Sequence, residues 1–310
     1  MVTANSTFRN RFVDLDGVRV HCVTEQGQQD GPTFLLVHGL GGSVANWSSL
    51  IPLLAQRGRV IALDLGGFGL TEVTPRQASI KANLTLLDHF VTAVCDRPAV
   101  VIGNSMGGML TAQLAARNSR MVAAAVLIDP AIPPSPVSRP HPLITLGFSV
   151  YLVPGLDVWA TRKREERRTV RQLVEETMKM VTSHFDRVDP AVIDEHIELA
   201  EHRAKEYPSG DAAFSAAARS LLLQFARRGQ YSQQLHQILS PVLLMHGDRD
   251  LLINVKSARA LAARHPSWRY VEGKDRGHTP FLDFPEWTAR EIFAWLDDNP
   301  QIEQRTVASS

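Results

Sequence analysis

The segment Gly103-Asn104-Ser105-Met106-Gly107 sets a serine between two glycines, directly after the apolar run Ala99-Val100-Val101-Ile102 and before a stretch of small residues with helical character. Strand, sharp turn and helix in that order hold a serine in strain with its hydroxyl outward, and glycines permit the turn because a Cβ would obstruct it. A serine hydroxyl is a weak nucleophile at neutral pH, so it needs a base within hydrogen-bond reach and an acid that orients the base. Both follow in the chain. The run Val242-Leu243-Leu244-Met245 leads into His246-Gly247-Asp248-Arg249-Asp250, and Gly277-His278-Thr279-Pro280 comes later. Ser, Asp, His is the chain order of a triad built on such a turn. Ser105 is expected to be the nucleophile, His278 the base, and Asp250 the acid that fixes the imidazole tautomer. Asp248, on the same loop, and Asp129, after another apolar run, stay open as alternative acids. His38 and His246, each before a glycine at a strand end, are expected to brace loops near the site.

Acyl transfer also needs a place for negative charge. The run His38-Gly39-Leu40-Gly41-Gly42 ends an early apolar run, and a glycine-rich loop lets backbone N–H groups converge on an oxyanion. The expected donors are the N–H of Met106, directly after the nucleophile, and that of Leu40. One such donor is typically worth about 10²–10³ in rate.

The elements that must carry these residues are legible as an alternation of β-rich runs and helical patterns, the sign of a parallel sheet covered on both faces. Expected strands are Phe12–Leu15, Val18–Thr24, Thr33–His38, Val60–Asp64, Ala99–Gly103, Ala123–Asp129, Pro241–His246 and Trp268–Glu272. Leu84, Leu87, Val91 and Val94 mark one apolar helix stripe. Val255–Arg264 and Glu286–Asp297 read as later helices, followed by a polar carboxyl-terminal tail. Between them, residues 131–239 show no strand pattern: a proline-rich opening gives way to helical, charged sequence. The expected division is a core of 1–130 and 240–310 with an α-helical lid, 131–239, inserted after the sixth strand. That insertion point lies at the carboxyl ends of the strands, where open α/β sheets bind ligands.

Composition narrows the function. The 310 residues are 44% hydrophobic and carry a formal net charge of +1, so the balance demands neither nucleic acid nor an acidic partner. Cys22 and Cys95 have no metal-ligand spacing and are expected to be reduced core residues. No clustered Cys/His set, phosphate loop or basic aromatic-laced stripe is present, so no cofactor, metal or nucleic-acid partner is expected. The polar start lacks a secretory apolar region, which makes cytoplasmic the expected location. The greasy stretch Pro142–Ala160 is broken by Pro154, Gly155 and Asp157 and makes a poor membrane span. Nothing in the sequence defines an oligomeric state.

These residues together resemble the α/β-hydrolase superfamily, over the chain from about Val13 to Trp295 apart from the insert. The marks are His38-Gly39, Asp64-Leu65-Gly66-Gly67-Phe68-Gly69, the turn around Ser105, Gly247-Asp248-Arg249-Asp250, and Gly277-His278 followed by Phe284-Pro285-Glu286. The resemblance implies a mostly parallel sheet of about eight strands and maps the acid to Asp250 and the base to His278. It departs at Gly66, where relatives often carry proline. Epoxide and haloalkane hydrolases of this fold carry aspartate at the turn, so Ser105 implies acyl chemistry and a carboxylic-ester hydrolase. The turn Gly103-Asn104-Ser105-Met106-Gly107-Gly108 is also similar to that of carbon–carbon hydrolases of aromatic ring-fission products. Those relatives usually place tryptophan after the histidine, where this chain has Thr279. A small-molecule receptor on the same fold and a cofactor-free perhydrolase are further alternatives.

The insert bears on the substrate. Its apolar stretch adjoins Arg162-Lys163-Arg164-Glu165-Glu166-Arg167-Arg168, a pairing that suits peripheral contact with an anionic membrane and a lipid ester. A pocket lined by some of Leu143, Leu146, Phe148, Leu152, Trp159, Phe214 and Leu222 is the competing use. Either favours an apolar acyl group.

Overall fold

In the computed structural model, residues 8–134, 147, 150–152, 163, 167–207 and 210–307 are described. Eight strands form one sheet: β1 Arg9–Leu15, β2 Val18–Glu25, β3 Thr33–Val37, β4 Arg59–Leu63, β5 Ala99–Asn104, β6 Val122–Ile128, β7 Val242–Gly247 and β8 Arg269–Gly273. Their order is β1-β2-β4-β3-β5-β6-β7-β8. The first two strands run antiparallel to each other and to β4, and β3 through β8 are parallel. The expected α/β-hydrolase architecture is therefore present, with strand ends that coincide with the sequence reading, as at Leu15, Val18, Thr33 and Ala99, or lie close to it.

Parallel strands covered on both faces must be apolar on both faces, which is why they read as unbroken hydrophobic runs. On β3 and β5, Leu35, Val37 and Val101 point into one core with Leu87, Phe90 and Val91 of the helix Ile80–Val94. Phe34, Leu36, Val100 and Ile102 point into the other, with Trp47 and with Ile292 and Leu296 of the helix Pro285–Asp297. Cys22 and Cys95 are free and buried, and burial raises both thiols, Cys95 to about 12. They are inert core residues, as their spacing suggested.

The carboxyl-terminal tail, read as polar, instead forms a helix at Gln301–Val307. Ile302 is fully buried, Glu303 pairs with Arg57, and the Arg305 guanidinium donates to the carbonyls of Ala123 and Ser119. Those partners are distant in sequence, so no local pattern announces them.

Between β6 and β7 the described elements are helical: Val170–Val181, Pro190–Glu206, Gly210–Ala226 and Arg228–Leu235, with short turns at Val150–Leu152 and Phe185–Arg187. Leu143, Leu146, Phe148 and Trp159, named as pocket candidates, and residues 162 and 164–166 of the charged cluster lie outside the described residues, as does the side chain of Leu152. No helix among the described residues is long and apolar enough to cross a membrane.

Candidate active site

All the residues singled out for chemistry stand at carboxyl ends of strands. In the sheet order β3 lies between β4 and β5, so the connections leave in opposite directions there and open a crevice at the strand ends. The glycine loop after β3 and Ser105 after β5 border that crevice.

Ser105 has φ 52° and ψ −119°, a left-handed conformation that a non-glycine residue adopts only when its surroundings enforce it. The enforcement is visible. Ser105 donates its N–H to Ile128 O at 3.1 Å, and its carbonyl accepts from the N–H groups of Met109 and Ala131. Gly107 passes so close to β3 that a Cβ there would collide with the carbonyl oxygens of Val37 and His38. The N–H of Met106 is the first of the helix Met106–Arg117, where no preceding turn supplies a carbonyl partner.

The loop bearing Leu40 backs directly onto the serine: a Cβ on Gly39 would stand 3.0 Å from Ser105 Cβ. Both nitrogens of His38 are committed, Nδ1 to Gly39 O at 2.7 Å and Nε2 to the Leu65 N–H at 2.9 Å. Burial lowers its pKa, so it is a neutral strut in one tautomer. Asp64, also fully buried, accepts from His21 Nδ1 and from the N–H groups of Val44 and Leu70. Burial pushes its carboxyl up, and the bond and charge of His21, with help from His38 and the Leu70 N–H, pull it below the ordinary value. His38 and Asp64 thus cross-link the loops after β3 and β4. Gly66, the departure from the family pattern, uses its N–H to bond Asn83 Oδ1 at 2.7 Å, a bond that proline would delete.

His278 is buried, and its Nδ1 donates to Asp250 Oδ2 at 2.8 Å. The other oxygen of Asp250 accepts from Leu252 N and Ile253 N at 2.7 and 3.0 Å. Burial pushes the Asp250 carboxyl up, but the charge and hydrogen bond of His278, the charge of His246 and the Ile253 N–H outweigh it and hold it below the usual range. Asp248 instead accepts from the Asp275 N–H at 2.7 Å and is exposed, so it fastens two loops together. His246 is buried; Nε2 donates to Ile253 O at 2.9 Å, and burial lowers its pKa. Asp129, φ 44°, accepts from the Gly247 N–H and faces the same cluster. A carboxylate oxygen each of Asp129 and Asp250 and a ring nitrogen of His278 lie within 4.8 Å of one another.

Sequence reasoning did not assign Asn104 a structural task. Its Nδ2 donates to Ile128 O at 3.1 Å and to His278 O at 2.9 Å, tying the serine turn to the histidine backbone. It also missed how the insert meets the histidine loop. Thr279 donates its N–H and hydroxyl to Val181 O, and Asp283 Oδ2 accepts from Ser183 N, Ser183 Oγ and His184 N. Thr279 is therefore a fastener to the intervening helices. Of the named pocket candidates, Phe214 packs on the glycine loop: a Cβ on Gly41 would stand 3.0 Å from its ring, and Tyr151 and Phe68 flank it at 5.4 and 6.5 Å. Leu222, about two turns further along the same helix, is half-buried.

Comparison with known proteins bears on the family and the fold. Residues 32–285 match the model of the alpha/beta hydrolase fold family. A pimeloyl-[acyl-carrier protein] methyl ester esterase of Aeromonas hydrophila is 28% identical over 260 residues, 83% of this chain and 92% of the relative. A 2-hydroxy-6-oxo-6-(2'-aminophenyl)hexa-2,4-dienoic acid hydrolase of Metapseudomonas resinovorans is 25% identical over 310 residues, covering 96% and 94%. Among solved structures, a bacterial membrane phospholipase A superposes with TM-score 0.69 at 27% identity, covering 94% of this chain and 86% of that one. Cfl2 of Burkholderia cenocepacia superposes with TM-score 0.78 at 23% identity, covering 93% and 95%. This chain belongs to the α/β-hydrolase family.

Proposed function

We propose that the protein is a serine hydrolase of carboxylic esters with apolar acyl groups, working through an acyl-enzyme on Ser105. The observation that carries this reading is a strained serine in the turn after β5, joined through Asn104 to the backbone of a buried histidine whose Nδ1 donates to a carboxylate held low. His278 takes the Ser105 proton as the hydroxyl attacks the ester carbonyl, and Asp250 stabilises the imidazolium. The N–H groups of Met106 and Leu40 receive the oxyanion. The imidazolium protonates the leaving alcohol, and water then releases the acid by the same route. The helices between β6 and β7 act as a lid, and Phe214, with its aromatic neighbours over Gly41, favours an apolar acyl chain. No cofactor enters the cycle. The esterase relative and the phospholipase structure support a small-molecule or lipid ester as substrate, with lid contact at a membrane as the lipid case.

A second reading, hydrolysis of a carbon–carbon bond in a vinylogous diketone acid, is favoured by the Metapseudomonas relative that spans nearly the whole chain. Turnover of nitrophenyl esters of graded acyl length separates the two. Turnover of medium or long esters, lost in Ser105→Ala, is expected; activity confined to diketone acids would replace the ester assignment with the second reading.

A further inference from the structure

The site contains one more carboxyl group than a triad uses. Asp129 is fully buried, and its Oδ1 accepts from the Gly247 N–H at 2.8 Å. Its Oδ2 is buried and receives no donor from any described residue. A buried carboxylate oxygen without a donor is costly, and two ionised carboxylates this close repel each other. Both difficulties vanish if one proton resides on Asp129 and points at Asp250, because a neutral carboxylic acid in a buried site is a hydrogen-bond donor. Backbone geometry commits Asp129 to that position: it directly follows β6 in a left-handed conformation, φ 44°, with its N–H bonded to Met245 O at 2.9 Å.

We propose that Asp129 is a positioning residue of the site, a neutral acid that donates its proton in a hydrogen bond to the Asp250 carboxylate and replaces Asp250 as partner of His278 when Asp250 is neutralised. The second half of the proposal rests on the serine-hydrolase reading above; the first half does not. In the native state the donated bond spreads the negative charge of Asp250 over two carboxyl groups and holds Asp250 in register under His278. If Asp250 becomes asparagine, the charge that raised Asp129 beyond the effect of burial is gone, and the imidazolium that forms on His278 offsets the cost of a buried charge. The Asp129 proton leaves to solvent, and its carboxylate, within 4.8 Å of a His278 ring nitrogen, supplies the charge that stabilises the imidazolium.

The surroundings fit. Burial raises the Asp129 carboxyl well above its ordinary value, the Asp250 charge raises it further, and the Gly247 N–H bond opposes them only in part. The titratable groups that face it are Asp250 and His246 from the β7 end, His278 from the loop after β8, Tyr270 from β8 and Asp283 from the helix Pro280–Asp283. His246 Nδ1 lies 3.6 Å from Asp129 Oδ1, and burial lowers the His246 pKa.

The proton is tested by stability. A group whose folded pKa is raised loses its contribution as pH climbs from the unfolded value toward the folded one, because the unfolded chain releases a proton that the folded chain retains. Asp129→Asn keeps an oxygen for the Gly247 N–H and removes the titration. The Tm of D129N minus that of the wild type is expected to rise by several degrees between pH 4.5 and pH 8; a difference independent of pH would overturn the neutral-acid state. The replacement role is tested by a double-mutant cycle on an ester turned over by the wild type, with Asp250→Asn retaining an acceptor for Leu252 and Ile253. D129N is expected to reduce kcat at least about tenfold more in the D250N background than in the native one. Equal factors in both backgrounds would overturn the replacement. If Ser105→Ala leaves turnover intact, the catalytic reading fails while the Tm series still decides where the proton resides.

Discussion

The loops at the strand ends and the helices between β6 and β7 meet over the candidate site, and they are held in place by different means. The loops are fixed by their own backbone. Gly107 abuts β3, Ser105 shares hydrogen bonds with Ile128, Met109 and Ala131, and His38 spends both ring nitrogens on main-chain groups. The helices attach mostly through side chains at scattered points, with the Thr279 N–H to Val181 O bond as a main-chain link. Arg203 donates to the carbonyls of Gly67 and Gly69, Ser48 donates to Glu195, Ser220 accepts from the Ile80 N–H, and Asp283 accepts from Ser183 and His184. Backbone contacts of the first kind resist displacement by fractions of an ångström, as chemistry at Ser105 demands. Side-chain bridges of the second kind can be exchanged with little damage to the sheet. On the proposed function, the difference would give reactivity to the loops and substrate choice to the helices.

Changes in the loops should therefore lower kcat, and changes in the helices should redistribute preference among substrates. The largest effect is expected at the base: His278→Ala should lower kcat about 10⁴-fold or more with KM little moved, read by steady-state ester kinetics. Asn104→Ala removes the two bonds that join the serine turn to Ile128 and His278 and should lower kcat about tenfold to a hundredfold, since an ångström of misplacement is that costly. Asp283→Ala breaks the bridge across the two regions. It should destabilise the fold by about 1–3 kcal/mol, seen in denaturant midpoints, while kcat falls only severalfold. Phe214→Ala should shift the chain-length optimum of kcat/KM by less than about tenfold per substrate, a change worth 1 kcal/mol or so in an apolar pocket. A kcat loss at Phe214 as large as that at Asn104 would erase the distinction between the regions.

How much of this was legible beforehand follows from where each residue finds its partners. The strands could be read because burial on both faces writes itself as contiguous Val, Ile, Leu and Ala. Ser105, Asp250 and His278 could be named because glycines and chain order surround them, although only the geometry brings His278 to within 2.8 Å of Asp250 and turns Asp248 away toward Asp275. Asn104 was visible only as a member of the serine turn, and Asp129 only as an alternative acid. Their partners, His278 and Gly247, are 174 and 118 positions away, and no periodicity encodes such pairs. The helix Gln301–Val307 escaped for the same reason: it is polar by composition and depends on Arg57, Ser119 and Ala123. Thr279, read as a departure from a relative's tryptophan, has its explanation in Val181, across the intervening helices.

The central claim is that Ser105 forms a covalent acyl-enzyme, and intact-mass spectrometry on rapidly quenched protein tests it most directly. Mixed with a medium-chain nitrophenyl ester under Asp250→Asn conditions that slow deacylation, the protein should gain the mass of one acyl group, mapped by peptide analysis to the segment containing Ser105 and absent from Ser105→Ala. A stable adduct on another residue, or full turnover by the Ser105→Ala protein, would contradict the account.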